Sequence, residues 1–356
     1  MGLTSTDRDD VRTRVEAALA GFLRRQRERL STIDPALADV ADAIDGLVLG
    51  AGKRLRPAFG YWGFRGAGGR DRDEIVTALA ALEFLQASAL IHDDVMDASD
   101  TRRGEPAVHR RFEERHRIGG WNGAAATFGR NAAILAGDLC LAWSDEMLHA
   151  SGVDAAALAR ARDVFDEMRT EVIVGQYLDV LAATSDDMSV ERASKIATYK
   201  SAKYTVERPL LMGAALAGAT VEITDAYSTY GLALGEAFQL RDDILGVFGD
   251  PSETGKPAGD DLREGKRTYL IATAFALADA DQMAIMRTDL GDPGLNGARV
   301  ERFRRIISSS GALARTEARI ALLTEAALTA IDTVALSADA GAALTELAAA
   351  AVRRSR

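Results

Sequence analysis

Two short acidic clusters carry most of the chemistry that the amino-acid sequence offers. The first is Asp93, Asp94 and Asp97, within LEFLQASALIHDDVMDASDTRRGEP at residues 82–106. Residues four apart share a helix face. Asp93 and Asp97 are therefore side-by-side carboxylates, which repel unless a cation lies with them. Hard oxygen donors at this spacing suit Mg2+, which keeps several waters and bridges to phosphate. The second cluster is Asp242 and Asp243 in FQLRDDILGVFGDP, with Asp250 near the end of the same run. One such cluster alone is often a solvated face. Two of them, each closing a long apolar segment, point to metal sites on facing helices of a bundle.

Cations accompany the acids. Lys53, Arg54 and Arg56 stand together in GKRLRP, with Pro57 suited to a first helical turn. Arg102 and Arg103 follow the first acidic cluster, and Lys200, Lys256 and Lys266 lie further on. Taken singly, each reads as surface charge. Together with the acids they read as a site for two diphosphates: carboxylates hold metals, metals hold one diphosphate, and cations hold the rest. The apolar helix leading into Asp93 would line a hydrophobic slot with the aspartates at its mouth. The implied substrate has an apolar tail and a diphosphate head.

Helices must position these groups. Apolar residues recur at three and four nearly throughout, predicting helices at 8–29, 36–50, 56–65, 72–99, 129–150, 156–182, 189–200, 203–217, 222–248, 267–279, 295–309, 311–333 and 337–353. Residues 100–128, 249–265 and 289–296 are polar or rich in turn residues and read as connections. No run of alternating β-branched residues makes a convincing strand, and no repeat or flexible linker is visible. The expectation is an all-α fold, one domain over 1–356. A net charge of −10 argues against nucleic-acid binding. Cys140, the one cysteine, sits in an apolar run and reads as a core residue, which with the missing disulfide suits the cytoplasm. No apolar run of 18 residues suggests a membrane span. The start, MGLTST, matches the loose N-myristoylation pattern at Gly2 and Thr6, a match too common to carry weight. The basic end, VRRSR, reads as compensation of a helix dipole.

The segments GKRLRP, IHDDVMDASDTRRG, GQYLD, Lys200–Ser201, FQLRDD and GKPAGDD together resemble the all-trans isoprenyl diphosphate synthases, also called polyprenyl synthetases. The resemblance covers roughly residues 45–270 and is specific in combination. It implies a bundle of long helices around a central hydrophobic cavity, usually a homodimer. It also implies head-to-tail condensation of isopentenyl diphosphate with an allylic diphosphate. Ionisation of the allylic C–O bond gives a cation, the double bond of isopentenyl diphosphate attacks it, and a proton leaves to the departing diphosphate. Three Mg2+ are implied. Asp93 and Asp97 would ligate two, with Asp94 in support, and Asp242 the third, with Asp243 close by. Arg102, Lys200 and Lys256 would bind the allylic diphosphate. Lys53, Arg56, Arg103 and Gln86 would bind isopentenyl diphosphate. Gln176, Asp179 and Gln239 fall on family positions near the metals and the allylic group, and Ser201 and Lys266 fall among the substrate contacts.

Two departures stand out. Gly246 replaces the third aspartate that many members carry, which removes the partner one turn from Asp242, and Ser201 replaces a commoner threonine. Product length is read from the helix before Asp93. One turn rises about 5.4 Å, roughly an isoprene unit. Ser88 and Ala89 are small, so the first turn is open and a C15 stop is disfavoured. Phe84 and Leu85 would form a floor one turn deeper, with Ala81 on the same stripe, which suggests the C20 product, geranylgeranyl diphosphate. A synthase of another length, a non-catalytic partner subunit and a class I terpene cyclase are the alternatives. The cyclase lacks a good copy of its second metal motif. A helical di-iron protein is a further rival, because Glu113–His116 and Glu146–His149 have the Glu-x-x-His spacing. His92 reads as a packing or hydrogen-bonding group and His109 as loop surface. Trp62, Trp121 and Trp143 read as core or interface.

Overall fold

The computed structural model describes residues 5–50, 52–250 and 259–352. Gly2, Lys256 and the arginines that end the chain lie outside the described residues. The helices α1 (Ser5–Ile33), α2 (Ala38–Val48), α3 (Leu55–Gly66), α4 (Asp73–Met96), α5 (Val108–Ile118), α6 (Ala125–His149) and α7 (Ala155–Thr184) come first. Then come α8 (Val190–Ala197), a π-helical stretch (Thr198–Glu207), α9 (Arg208–Ala217) and α10 (Val221–Phe248). Last are α11 (Asp260–Arg263), α12 (Tyr269–Leu277), α13 (Ala280–Asp289), α14 (Gly297–Ser309), α15 (Ala312–Asp332) and α16 (Ala338–Val352). The all-α expectation holds. The strands among the described residues are the two of a small hairpin, Thr101–Arg102 with Glu105–Pro106.

Contacts divide the chain into two compact units. The first comprises residues through Asp163 together with Met212–Ala219 and Ser337–Ala343. Its centre is α4, which packs against α6, α1 and α3. Nearly every side chain from Ile75 to Ser88 is buried, so the segment is apolar all round instead of amphipathic. Asp73 and Glu74 stand in its first turn, where acids complement the dipole. Among the described residues α4 alone is long and apolar enough to cross a membrane, and 72% of that window is buried inside the protein. That corrects the sequence reading, which found no such stretch. Trp62, Trp143 and Cys140 lie in the core as expected. Burial pushes the Cys140 thiol up to about 12.

The second unit comprises Val164–Leu211, Thr220–Leu336 and the chain from Leu344 onward. Here α10 is central and packs against α15, the π-helical stretch and α12. Leu240, Ile244, Leu262, Leu270 and Phe303 belong to its core. Arg241 makes a two-pronged bond to Glu317 of α15, at 2.6 and 2.8 Å.

Three helices were missed in the sequence, the four-residue α11, α5 and α13. The α5 segment was read as solvated connection, but Val108, His109, Phe112, Glu113 and His116 fall on one buried face. Its Glu113 is buried because Arg110 and Arg117 neutralise it. His109 is likewise buried, not loop surface, and desolvation holds its imidazole below the usual range. The α13 helix starts on a capping box, in which Asp279 accepts from the Gln282 amide and Gln282 accepts from the Asp279 amide. That Asp-x-x-Gln signature was present in the sequence. Asp279→Ala is expected to cost about 1 kcal/mol of stability, read as a lower urea midpoint, with turnover unchanged.

Candidate active site

The first unit carries the first acidic cluster at the end of α4. Asp97 caps that helix, its N–H donating to the Asp93 carbonyl at 2.8 Å. Asp93 and Asp97 are partly exposed and Asp94 is buried. The TRRGEP segment then turns straight back. Arg103 and Gly104 take positive φ angles of 55° and 80°, giving the two-residue hairpin turn that strand twist favours. The turn returns Arg102 to the carboxylates. Its Nε donates to Asp94 Oδ1 at 2.9 Å, its Nη2 also reaches Asp94, and Nη2 lies 3.5 Å from Asp93 Oδ2. Arg102, the first arginine after the acidic cluster, thus supplies counter-charge to Asp94 and Asp93.

The GKRLRP cations separate by role. Arg54 is buried and bonds Glu83 at 2.8 Å and the Gly50 carbonyl at 3.2 Å. It is an internal ion pair, not a ligand-facing group. Three carboxylates of the di-iron rival have other partners: Glu83 bonds Arg54, Glu113 bonds Arg110 and Arg117, and Glu146 accepts from Gln26 at 2.7 Å. Lys53 is exposed and Arg56 half-buried. A Cβ placed on Gly52 would lie 3.0 Å from an Arg54 Nη and 3.5 Å from an Arg103 Nη, so two guanidiniums converge on this glycine. Desolvation, opposed by Glu83, together with repulsion from Arg54, Arg102 and Arg56, lowers the Arg103 pKa. A cluster of cations that raise one another's energy is built to take an anion. Arg54, Ala98 and Arg103 are the non-glycine residues with positive φ among those described. All three flank this region, where strain of about 1 kcal/mol or more per residue is held by the surroundings. On α4, the Gln86 side-chain oxygen is buried with no hydrogen-bond partner among the described residues.

The residues expected to set product length lie on the same helix. Phe84 and Leu85 are fully buried, Ser88 nearly so, and Ala89 partly exposed. Phe84 sits in an aromatic trio, 5.0 Å from Phe22 of α1 and 6.1 Å from Trp143 of α6 between ring centroids. His92, beside the aspartates, directs Nε2 to the Ile134 carbonyl at 3.1 Å and occupies the space above Gly137, the bonding role expected of it.

The second unit carries the second cluster on α10. Gln239 donates to Asp243 at 2.8 Å. Burial, with the charges of Asp261 and Asp242 added, pushes the Asp243 carboxyl up to about 8. Asp242 is partly exposed. Lys266 lies 2.7 Å from Glu264 and 3.9 Å from Asp261. Lys200 and Ser201 sit in the π-helical stretch, a form that recurs at functional sites. Lys200 Nζ bonds Asp179 of α7 at 2.7 Å, and Gln176 is one turn before Asp179 on the same helix. The sequence reading had ended a helix at 200 and begun another at 203, but the chain stays helical through this stretch. Glycines allow the packing. A Cβ on Gly175 would lie 2.7 Å from the Lys200 nitrogen, and one on Gly235 would lie 2.6 Å from the Ala202 carbonyl oxygen. Gly175→Ala is expected to displace Lys200, costing about 1–3 kcal/mol and lowering turnover about tenfold. Unfolding curves and initial rates check it.

All the acidic positions singled out offer carboxylate oxygen alone, the donor set of Mg2+. Among the described residues no three His, Cys, Asp or Glu side chains gather closely enough to enclose an ion.

Comparison with known proteins gives a consistent result. Residues 38–307 match the family model described as "Polyprenyl synthetase". A geranylfarnesyl diphosphate synthase of Aeropyrum pernix is 35% identical over 79% of this chain and 83% of its own. A geranylgeranyl diphosphate synthase of Saccharolobus solfataricus is 32% identical over 73% of this chain and 74% of its own. The crystal structure of a geranylgeranyl pyrophosphate synthase from Corynebacterium glutamicum, complexed with isoprenyl diphosphate and magnesium, is 42% identical. It superposes with a TM-score of 0.93 over 96% of this chain and 98% of that one.

Proposed function

The chain belongs to the polyprenyl synthetase family, and from that premise we propose that it is a Mg2+-dependent geranylgeranyl diphosphate synthase. As a prenyltransferase it condenses isopentenyl diphosphate with an allylic diphosphate. The observation that carries the site reading is the gathering of Arg56, Arg102 and Arg103, with Arg102 bonded to the acidic cluster of Asp93, Asp94 and Asp97.

Asp93 and Asp97, supported by Asp94, hold Mg2+, and Asp242, with Asp243 close by, holds a third ion. When bound, the ions neutralise the allylic diphosphate and draw charge from the leaving oxygen. Arg102, Lys200 and Lys256 donate to the same diphosphate, while Asp179 keeps Lys200 in register beside Gln176. Lys53, Arg56, Arg103 and the Gln86 amide hold isopentenyl diphosphate. Ser201, Gln239 and Lys266 complete the polar contacts. The C–O bond then breaks with its electron pair going to diphosphate. The double bond of isopentenyl diphosphate attacks the allylic carbon, and a proton passes to the departing diphosphate. The buried apolar face of α4 keeps water from the cation.

The C20 length rests on small Ser88 and Ala89 above bulky Phe84. The single-domain organisation is proposed on the family match, which runs unbroken through most of the chain. Cytoplasmic location is proposed from the burial of α4 and the lone buried thiol. A homodimer is proposed from apolar surface. Ile134 and Leu135 on α6 are exposed, as are Ile173, Val174, Tyr177, Val180 and Leu181 on α7, the latter at helical spacing.

The test is product chromatography with isopentenyl diphosphate, Mg2+ and, separately, C5, C10 and C15 allylic diphosphates, beside EDTA controls. The expected result is a Mg2+-dependent C20 diphosphate. A C25 or C15 product would overturn the length alone. No extension with any primer would overturn the activity and favour a partner subunit.

A further inference from the structure

Lys203 and Arg208 stand five residues apart, yet both bond Glu171 of α7. Arg208 Nε donates to Glu171 Oε2 at 2.6 Å, Arg208 Nη2 donates to Oε1 at 2.9 Å, and Lys203 Nζ bonds the same Oε1. On an α-helix, residues five apart point about 140° away from each other. The stretch Thr198–Glu207 is instead π-helical, and the Arg208 N–H donates to the Lys203 carbonyl, the five-residue bond of that form. The wider turn lets two cations meet one carboxylate. We propose that Glu171 is a positioning residue for the allylic diphosphate: by gripping Lys203 and Arg208 together it holds the π turn, and the π turn sets where Lys200 stands. The inference rests on the reading of Lys200 as a diphosphate-binding cation and adds a residue that acts through it.

Positions 171, 175 and 179 of α7 are four apart and share one face, and all three meet the π-helical stretch. Asp179 bonds Lys200 Nζ at 2.7 Å. At Gly175 the two backbones touch, since a Cβ there would lie 2.7 Å from the Lys200 nitrogen. Glu171 closes the same seam one turn further along. Its grip is largely shielded from water: the Glu171, Lys203 and Arg208 side chains are 13%, 17% and 9% exposed. Glu167 also accepts from Arg208, at 2.7 Å. Glu207, which accepts from Ser228 Oγ at 2.6 Å, lies 4.0 Å from Lys203 and 3.8 Å from Arg208. Burial disfavours the Glu171 charge, but Arg208 and Lys203 outweigh it and hold the carboxyl below its usual range. Without that charge the two cations would face each other across the π turn, and like charges repel. Relaxation to an α-helical turn would part them and rotate Lys200 away from Asp179.

The test separates the two substrates. Binding of a C15 allylic diphosphate with Mg2+ is measured by calorimetry without isopentenyl diphosphate, and the KM of isopentenyl diphosphate is measured from initial rates. Glu171→Gln keeps the shape and removes the charge. It is expected to weaken allylic binding about tenfold, as a displaced binding group does. The KM of isopentenyl diphosphate is expected to stay within about twofold, because Lys53, Arg56 and Arg103 belong to the other unit. Lys203→Met leaves Glu171 paired with Arg208 and is expected to weaken allylic binding about threefold; it decides the matter if Glu171→Gln does not fold. Lys200→Ala is the reference. Since Glu171 acts through Lys200, the double variant Glu171→Gln/Lys200→Ala is expected to bind the allylic diphosphate no worse than Lys200→Ala. Wild-type allylic binding in every folded variant of Glu171 and Lys203 would overturn the inference. So would losses that multiply in the double variant, or an equal loss for both substrates, since either makes Glu171 a packing group. If Lys200→Ala itself binds the allylic diphosphate as wild type does, the reading of Lys200 fails and the inference falls with it.

Discussion

Replacing Asp93 with alanine is expected to lower condensation at least about 1,000-fold while leaving stability within about 1 kcal/mol of wild type. The two effects separate because of how Arg102 is shared. Its Nε bonds Asp94 at 2.9 Å, whereas Asp93 stands 3.5 Å away. Without Asp93, Arg102 keeps its closer partner and no buried charge is orphaned. The metal, however, loses one of the two carboxylates that share the helix face. Excess Mg2+ is expected to restore part of the rate if coordination alone is weakened. The Michaelis constant for isopentenyl diphosphate should move little, because Lys53, Arg56 and Arg103 remain. Initial rates over a Mg2+ series, beside a thermal melt, check this. Asp94→Ala provides the contrast: Asp94 is 2% exposed, and its loss removes the main partner of Arg102, so stability falls as well. A rate within tenfold of wild type in Asp93→Ala would remove Asp93 from the metal site.

The parts of the site that sequence made legible were those carried by periodicity and residue type. The helix into Asp93 is so apolar that its burial could be expected, and two acidic clusters, each closing a long apolar segment, point to a cation where one alone would not. What stayed hidden depended on backbone geometry. Three cations in four residues look equivalent in GKRLRP, yet Arg54 adopts a left-handed conformation, with φ of 50°, and turns inward to Glu83. Nothing in a residue string says which one does so. The hairpin that brings Arg102 back to Asp94 rests on positive φ at Arg103, a residue type that gives no warning of it. The α5 helix was lost because its buried face includes His109, Glu113 and His116, polar types whose burial is made possible by arginines on the same helix. Gly246 could be seen as a departure, but the side chain that lies against it is that of Asp261, and a contact at that distance along the chain leaves no periodic trace.

Phe84→Ala is expected to shift the product beyond C20 and to cost about 3–5 kcal/mol of stability. Phe84 stands nine residues before Asp93, about 13.5 Å along the helix at 1.5 Å per residue. Ser88 and Ala89 are small, so a tail that followed α4 on the proposed reading would pass them and meet Leu85 and then the larger Phe84. The ring has no freedom to step aside. It is wholly buried, 5.0 Å from Phe22 and 6.1 Å from Trp143, and those two rings rest against each other at 6.3 Å. Such a trio would make a stiff floor, since moving one ring disturbs two aromatic contacts worth roughly 0.5–1.5 kcal/mol each. It also explains the cost of truncation, which opens a cavity that Phe22 and Trp143 cannot easily fill. Leu85, the neighbour on α4, is the control: Leu85→Ala creates a smaller cavity beside the same route and is expected to lengthen the product less. Both variants are read by the carbon count of the product and by chemical unfolding. A loss of stability in Phe84→Ala with the chain length unchanged in both variants would make the trio a packing element alone and would assign the floor to another helix.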